Sequence, residues 1–493
     1  MKVTVAGYNL DAHIIKELSK NRKDIVLTPE TISAAYARIS RSAKSVSALR
    51  KEALEEIEKA RRSNRRIIFE MSHHSIAEHA VFNFDITGIS RRAVEEFERF
   101  RLCSYTEKSQ RYVTLKGDYV IPEEIKRTRF LNEYCEIIEL QNNLYKKLFE
   151  TLKSSMLKKY PVKRDRKSYK LIENSAKEDA RYILALATET QLGATINARN
   201  LELMIRRFAS HPLTEIRDIG ERLYHQVRGI APSIILFCQA NDYDQKTYPE
   251  LQKYCKSIKV KDTDLQSGVA IEDYTRNGDD MILAALLYHS KRGDFRSCLN
   301  AVKKMTRKAK MELFKKACQY LELYDSLLRE FELVNYTFSA VVSGGCFGQL
   351  KRHRIMTLIN QEYDPTLGIT IPPSIKEIKM DGEFRKVIDK TEKLYKRISR
   401  VASISAGSYI LTNAHRKRVL MNLNLRELCH IARLREDPTA QWDIQDIARA
   451  MSNEAKKVTP ITTLLLCSKT DYPDVYYRLF KKFPKVTSVP PPG

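Results

Sequence analysis

Arg99-Phe-Arg-Leu-Cys-Ser-Tyr-Thr-Glu-Lys-Ser-Gln-Arg-Tyr112 and, far downstream, Gln349-Leu-Lys-Arg-His-Arg354 are the two stretches on which the organisation of this chain turns. Each holds an Arg-x-Arg, Arg99 with Arg101 and Arg352 with Arg354. Each follows an alternating segment, Val81-Phe-Asn-Phe-Asp-Ile86 or Asn335-Tyr-Thr-Phe-Ser-Ala340, with the period of two expected of a half-buried strand. Ahead of those strands lie two helical, small-residue segments, 32–40 and 282–290, and beyond the arginines come Asn197-Ala198-Arg199 and Asn424-Leu425-Arg426 within apolar helical patterns. The same elements recur in the same order with loops of different length, as in a diverged tandem duplication.

The repeat predicts a first domain over 1–240, a polar connector containing some helix over 241–273, a second domain over 274–482 and a mobile Pro-rich tail over 483–493. Amphipathic periodicity predicts helices over 47–61, 133–158 and 376–401, which makes each half α+β with helix dominant.

Composition bounds the function. With 493 residues, 43% hydrophobic and 30% charged, the chain folds rather than remaining disordered. It contains no run of about 18 apolar residues, and Asp11 interrupts its start, so a cytoplasmic protein outside the membrane is expected. Nine cysteines without a Cys-x-x-Cys pair read as reduced, mostly buried thiols, and no metal site is expected. Lys and Arg outnumber Asp and Glu by 86 to 61, a formal +25. Clusters such as Lys163, Arg164, Arg166 and Lys167 could follow a nucleic-acid backbone, but a solvated Lys-rich surface with a phosphate-bearing small ligand is the favoured account.

The chemistry concentrates after the first Arg-x-Arg. Glu107, Ser109, Arg111 and Tyr112 put anion donors beside a carboxylate, and an extended backbone would turn Glu107, Ser109 and Arg111 to one side. The bland alternative is a solvated basic loop with incidental ion pairs. His73, His74 and His79 have packing as their alternative, Cys103 and Cys346 read as core thiols, and Trp442 reads as a core anchor. His353, between two arginines, is discouraged from carrying charge.

The first stretch resembles the signature of flavin-dependent thymidylate synthases: Arg-His-Arg, seven residues, then Ser, with a Glu before and an Arg after it. The second half resembles the same family through Gln349-Leu-Lys-Arg-His-Arg354 and Leu434-Arg-Glu-Asp-Pro-Thr-Ala-Gln-Trp-Asp-Ile-Gln445. Upstream, Ser72-His-His-Ser-Ile-Ala-Glu-His79 is similar to the family's flavin-facing stretch. The resemblance implies two fused thymidylate synthase-like domains, helix-rich with a central antiparallel sheet in each. It also implies FAD, with NADPH and methylenetetrahydrofolate as co-substrates, acting on dUMP to give dTMP. That chemistry needs no enzyme nucleophile, so Ser109 is read as a ligand-binding group and no residue is assigned as catalytic.

Carried over by position, the dUMP ligands are Glu107, Ser109, Gln110, Arg111 and Arg181 in the first half and Gln349, Arg352 and Arg435 in the second. The FAD ligands are His73, Ser75, Glu78, Arg99, Arg101 and Asn197, with Arg352, His353, Arg354 and Asn424. The halves depart from the family in opposite places. The first has Glu96, Phe100 and Phe208 where the second keeps Gln349, His353 and Arg435; the second has Asn360, Glu362, Asp364 and Ser408 where the first keeps Glu107, Ser109, Arg111 and Arg181. The second half also carries Leu327, Arg329 and Glu332 in the flavin-facing stretch, and a later family Asn is replaced by Leu203 and His430. Family members are homotetramers with sites shared between subunits, so the resemblance implies one composite site and a homodimer forming a pseudo-tetramer. A non-catalytic nucleotide- or flavin-binding paralogue and an enzyme modifying uracil in nucleic acid are the alternatives.

Overall fold

The computed structural model describes residues 1–18, 26–39, 42–113, 115–159, 166–260 and 268–488. It divides into two compact units, Met1–Asp262 with Gly382–Leu411, and Thr263–Asp381 with Thr412–Gly493. Lys163 and Arg164 lie outside the described residues, as do 261–267 of the expected connector and the last five residues of the tail.

In the first unit, β1 (Lys2–Tyr8), β2 (Val81–Ser90), β3 (Cys103–Glu107) and β4 (Glu189–Asn197) form an antiparallel sheet ordered β1-β2-β4-β3. The alternation seen in the sequence is the alternation of burial: Phe82, Phe84 and Ile86 are buried, while Asn83 and Asp85 face out. Gly88 allows the bulge between β2 and β4, because at φ +70° a Cβ would stand 2.9 Å from the Met1 nitrogen. In the second unit, β5 (Gly268–Tyr274), β6 (Asn335–Ser343), β7 (Thr357–Asn360) and β8 (Arg416–Asn424) repeat the arrangement as β5-β6-β8-β7. Even the irregularity recurs, between Val5 and Gly7 in one edge strand and Ile271 and Asp273 in the other. Because β5 begins at Gly268, the last residues assigned to the connector belong to the second sheet.

Each central strand runs straight into a helix through a side-chain cap. Ser90 Oγ accepts from the Ala93 N–H to start the helix Arg91–Phe97, and Ser343 Oγ accepts from Cys346 to start Gly344–Leu350. Asn197 starts Ala198–Ala209 by accepting from Asn200, and Asn424 starts Leu425–Arg435 by accepting from Glu427.

The units do not follow a simple cut at the connector. The helix Asp381–Val401, predicted over 376–401 and placed with the second domain, has Phe384, Val387, Ile388, Leu394 and Ile398 buried and is counted with the first unit from Gly382 to Leu411. Gln141, on the helix Leu131–Lys159, donates to Thr391 Oγ1 at 2.8 Å and to the Ile410 carbonyl at 3.0 Å. Leu186 and Ala187 donate to the carbonyls of Leu411 and Tyr409 at 2.7 and 2.8 Å. Two further expectations differ locally. Residues 47–61 are interrupted at Glu56, giving helices Val46–Glu55 and Ile57–Arg65, and Trp442 is half-buried at the start of Trp442–Val458. The described start of the expected tail is held: Phe483 stacks on Tyr477 at 4.7 Å, and the Lys485 and Val486 N–H groups donate to the Glu322 carboxylate. No helix among the described residues is long and apolar enough to cross a membrane.

Buried Glu215 joins this second-half segment to the first unit. Its carboxylate accepts the Ser90 N–H at 2.8 Å, the Ser90 hydroxyl at 2.7 Å and the Tyr409 hydroxyl at 2.6 Å. Burial raises the Glu215 carboxyl against those three donors. Tyr409→Phe removes one donor from a buried acceptor, and denaturant unfolding of the full chain is expected to show a loss of about 1–3 kcal/mol.

Candidate functional site

In the second unit, the cap at Ser343 sets the short helix carrying Gln349, and the cap at Asn424 sets the helix that ends at Arg435. The two converge. Arg435 Nε donates to His353 Nε2 at 2.9 Å, and Arg435 Nη1 donates to Gln349 Oε1 at 3.4 Å. Gln349 Nε2 in turn donates to Gln441 Oε1 at 3.5 Å. An arginine can only donate, so His353 accepts at Nε2 and carries its proton on Nδ1, which lies 3.5 Å from Glu427 Oε1. Burial, then Arg435 and His430, push His353 well below the usual imidazole range, while burial raises the Glu427 carboxyl. The result is a neutral imidazole holding a half-buried arginine in place. Its imidazole resonances should not titrate between about pH 6 and 8. Arg352 is exposed and Arg354 half-buried.

The first unit gathers the loop residues. Glu107 ends β3, is buried, and receives Arg91 Nη1 on both oxygens at 2.5 and 2.6 Å. Arg111 pairs with Glu178, and Ser109 Oγ accepts from the Arg111 backbone N–H at 3.1 Å. Arg181, buried in the turn Arg181–Ile183, donates through Nε to the Glu178 carbonyl at 3.3 Å. Burial lowers the Arg181 guanidinium, helped by Arg91 and Arg111 and opposed by Tyr182 and Glu178. Gln110 is buried in the same segment. Arg91 and Glu178 were not singled out in the sequence; Glu178 precedes Arg181 by less than one helical turn, and Arg91 directly follows the Ser90 cap.

The positions that depart from the family are filled by internal partners. Phe100 packs edge-on against Phe208, with ring centres 5.6 Å apart, where the second half has His353 and Arg435. Glu96 replaces Gln349 and is bound by Arg92 and Arg99, each at 2.7 Å, with His211 at 3.8 Å. Burial works to raise the Glu96 carboxyl, but Arg92, His211 and Arg99 hold it well below the usual range. Ser408, which stands for Arg181, accepts from Arg92 Nε at 3.1 Å. In the second unit, the buried Lys417 ammonium sits 4.1 Å from the Phe347 ring centre and 3.9 Å from that of Tyr363. Asp364 turns a carboxylate oxygen to the N–H and hydroxyl of Thr366.

Of the residues expected to face a flavin, His73 and Ser75 line a cavity of about 360 Å³ with His79 and Tyr36. Its hydroxyl, imidazole and phenol groups fit the polar edge of an aromatic cofactor such as FAD. Glu78 is paired with Arg199 at 2.6 Å, an arrangement repeated by Glu332 and Arg426 at 2.8 Å. Asn197 and Asn424 use their carboxamide oxygens as helix caps, so each has a structural task independent of any ligand. Arg101 is exposed, and Arg99, although more than half exposed, is drawn to Glu96. A second cavity of about 470 Å³ lies in the second unit, floored by Leu323, Leu327, Leu434 and Leu465. His430 forms part of its wall and meets the His353 ring at 5.8 Å. Among the described residues no group of His, Cys, Asp and Glu is gathered as metal ligands. Cys318 and Cys467 are pushed up to about 12 by burial, so both thiols stay protonated.

Comparison with known proteins identifies this repeated frame. The family described as thymidylate synthase complementing protein matches twice, over residues 24–233 and 270–461, and the chain belongs to it. It is a member with two fused copies of the flavin-dependent thymidylate synthase domain. A flavin-dependent thymidylate synthase of Clostridium tetani is 32% identical over 214 residues, 42% of this chain and 82% of that one. A UPF0159 protein of Thermoplasma acidophilum is 26% identical over 442 residues, 80% of this chain and 86% of its own. A solved UMP/dUMP methylase of Streptomyces cacaoi, bound with 5-Br dUMP, is 16% identical with a TM-score of 0.35, covering 47% of this chain and 92% of that one.

The Glu96 cluster makes a pH-dependent contribution. A carboxyl held below its unfolded value stabilises the fold above about pH 4.5, and that stability is lost as pH falls through the folded value. Glu96→Gln is therefore expected to cost about 3 kcal/mol at neutral pH, with a smaller difference from wild type in urea unfolding below about pH 4.5.

Proposed function

We propose that this chain is an FAD-dependent enzyme that converts dUMP to dTMP, taking the carbon from methylenetetrahydrofolate and reducing power from NADPH. The two retained residue sets act together on one nucleotide in the assembled protein, a cytoplasmic homodimer. Arg111 and Arg181 supply fork-shaped donors to the phosphate, with Glu107, Ser109 and Gln110 completing the nucleotide loop. Gln349, Arg352 and Arg435 hold the same nucleotide from the second residue set, and the neutral His353 keeps Arg435 oriented. His73, Ser75 and Glu78, together with Arg99, Arg101, Arg352, His353 and Arg354, are the candidate FAD ligands, while Asn197 and Asn424 add their amide N–H groups. Bound FAD supplies the redox chemistry that no side chain here offers.

The observation that carries the proposal is complementary loss. Glu96, Phe100 and Phe208 abandon one residue set only in the first half, and Asn360, Glu362, Asp364 and Ser408 abandon the other only in the second. A chain under no demand for the nucleotide would have lost both sets without regard to half. A second reading, nucleotide or flavin binding without turnover, is favoured by Leu327 and Arg329 in the second half's flavin-facing stretch.

Calorimetric titration of dUMP into the FAD-reconstituted chain, with the flavin absorbance followed in the same sample, tests both. One dUMP per chain with a perturbed flavin spectrum and dTMP formation supports the enzyme; binding without dTMP supports the second reading, and binding of neither refutes both. Arg111→Ala and Arg435→Ala should each weaken dUMP binding tenfold or more, since a lost charge-assisted contact costs about 1.5–3 kcal/mol. Asp364→Ala should leave it unchanged, and normal binding by Arg435→Ala would refute the shared site.

A further inference from the structure

The helices Phe295–Lys303 and Arg307–Cys318 of the second unit contain no residue assigned to nucleotide or flavin. Residues 291–316 carry ten Lys and Arg against Asp294 and Glu312, a formal +8, so nearly a third of the chain's +25 sits on 26 consecutive residues. Cys298 and Val302 on one helix, and Phe314 and Cys318 on the other, bury their apolar faces in the core and leave the cations outward. Lys310 is held by Asp280, and Lys315 by Glu312 at 3.1 Å. The Asp294 carboxylate is turned to Ser297, where it caps the helix. Arg296, Lys303, Lys304, Arg307, Lys308 and Lys316 are exposed, and none has a carboxylate partner among the described residues.

A surface of this kind seeks a polyanion. The residues around the cations say which. From Tyr288 to Tyr320, no large hydrophobic side chain between the two is exposed among the described residues, so the face lacks the apolar groups with which a cationic helix enters a membrane surface. It is flanked instead by tyrosines: Tyr288 is 53% exposed and packs against Phe295, and Tyr320 is 76% exposed with Lys482 over its ring. Exposed tyrosine rings beside cations suit unpaired bases, which stack on aromatic side chains while Lys and Arg follow the phosphates.

We propose that this helix pair binds single-stranded RNA, its cations on the phosphate backbone and the flanking tyrosines against unpaired bases. RNA is chosen over DNA because single-stranded loops and ends with unpaired bases are an ordinary state of RNA, and exposed aromatic rings beside cations suit such bases. The test is fluorescence anisotropy of a labelled uridine-rich single-stranded RNA with the full-length, FAD-reconstituted protein over a series of salt concentrations. Duplex DNA of equal length and phosphatidylserine vesicles are run beside it. Lys303→Glu/Lys304→Glu/Arg307→Glu/Lys308→Glu should weaken RNA binding and flatten the log–log salt dependence by about 3, at about 0.7 per lost phosphate contact. The same four positions changed to Gln give a milder variant should the charge reversal disturb folding. Arg385→Glu/Lys386→Glu/Lys390→Glu/Lys393→Glu, with the same change in net charge on another exposed helix face, should leave RNA binding intact. An equal loss in that control, salt-insensitive binding, or tighter binding to duplex DNA or vesicles overturns the proposal. A dUMP titration of the same samples separates the two readings: dUMP bound normally without RNA refutes the surface alone, and RNA bound through the patch without dUMP refutes the nucleotide site alone.

Discussion

Four side-chain caps at strand–helix junctions set the frame on which everything else hangs. Ser90, Ser343, Asn197 and Asn424 each accept a backbone N–H that the first turn of a helix would otherwise leave without an intrahelical partner. Each is worth about 1 kcal/mol, but its larger effect is geometric. The helix begins at a fixed residue of the strand, so side chains a few positions later reach fixed points. Gln349 and Arg435 meet because Ser343 and Asn424 begin their helices where they do; Phe100 and Phe208 meet because Ser90 and Asn197 do the same.

On that common frame the two halves carry fillings that each close their own accounts of charge and shape. His353 with Arg435 is a polar pair in which a neutral ring accepts from a cation, and Phe100 with Phe208 is an apolar pair of similar bulk. Mixing them would leave the half-buried Arg435 guanidinium against a phenyl ring and without its imidazole acceptor, so the positions must change together. The same holds for Gln349 and Glu96. The buried Glu96 carboxylate is held by cations, and the first half has Arg92 where the second has only Gly345. In the loop region, Arg91 and Glu107 of one half are matched in the other by Gly344 and Asn360, and a Cβ on Gly344 would stand 3.1 Å from the Tyr363 hydroxyl.

Much of this was legible in one dimension. Strands β2 and β6 show their period of two in the sequence, the repeated order of elements anticipates two sheets of one topology, and Gln349, His353 and Arg435 were placed in one group by resemblance. What the sequence did not reveal depends on contacts between distant residues. Arg91, Glu178 and Glu427 carry no pattern of their own and are recognised only by the charges they meet. Asn197 and Asn424 stood out as ligand candidates, although capping alone accounts for an asparagine at that point. The periodicity of 376–401 announces a helix, but nothing in a helical period says which core its apolar face will enter.

The split of the first unit along the sequence constrains the order in which the chain can fold. The first unit is completed by Gly382–Leu411, so Glu215 waits for Tyr409, and Gln141 for Ile410, until most of the polypeptide has been synthesised. An ordinary tandem pair can finish its first member while the second is still being translated. Here the second sheet's strands β5, β6 and β7 leave the ribosome before the first unit has all its parts. Severing the chain at the connector would take Gly382–Leu411 from the first unit, and with it the partners of Glu215 and Gln141.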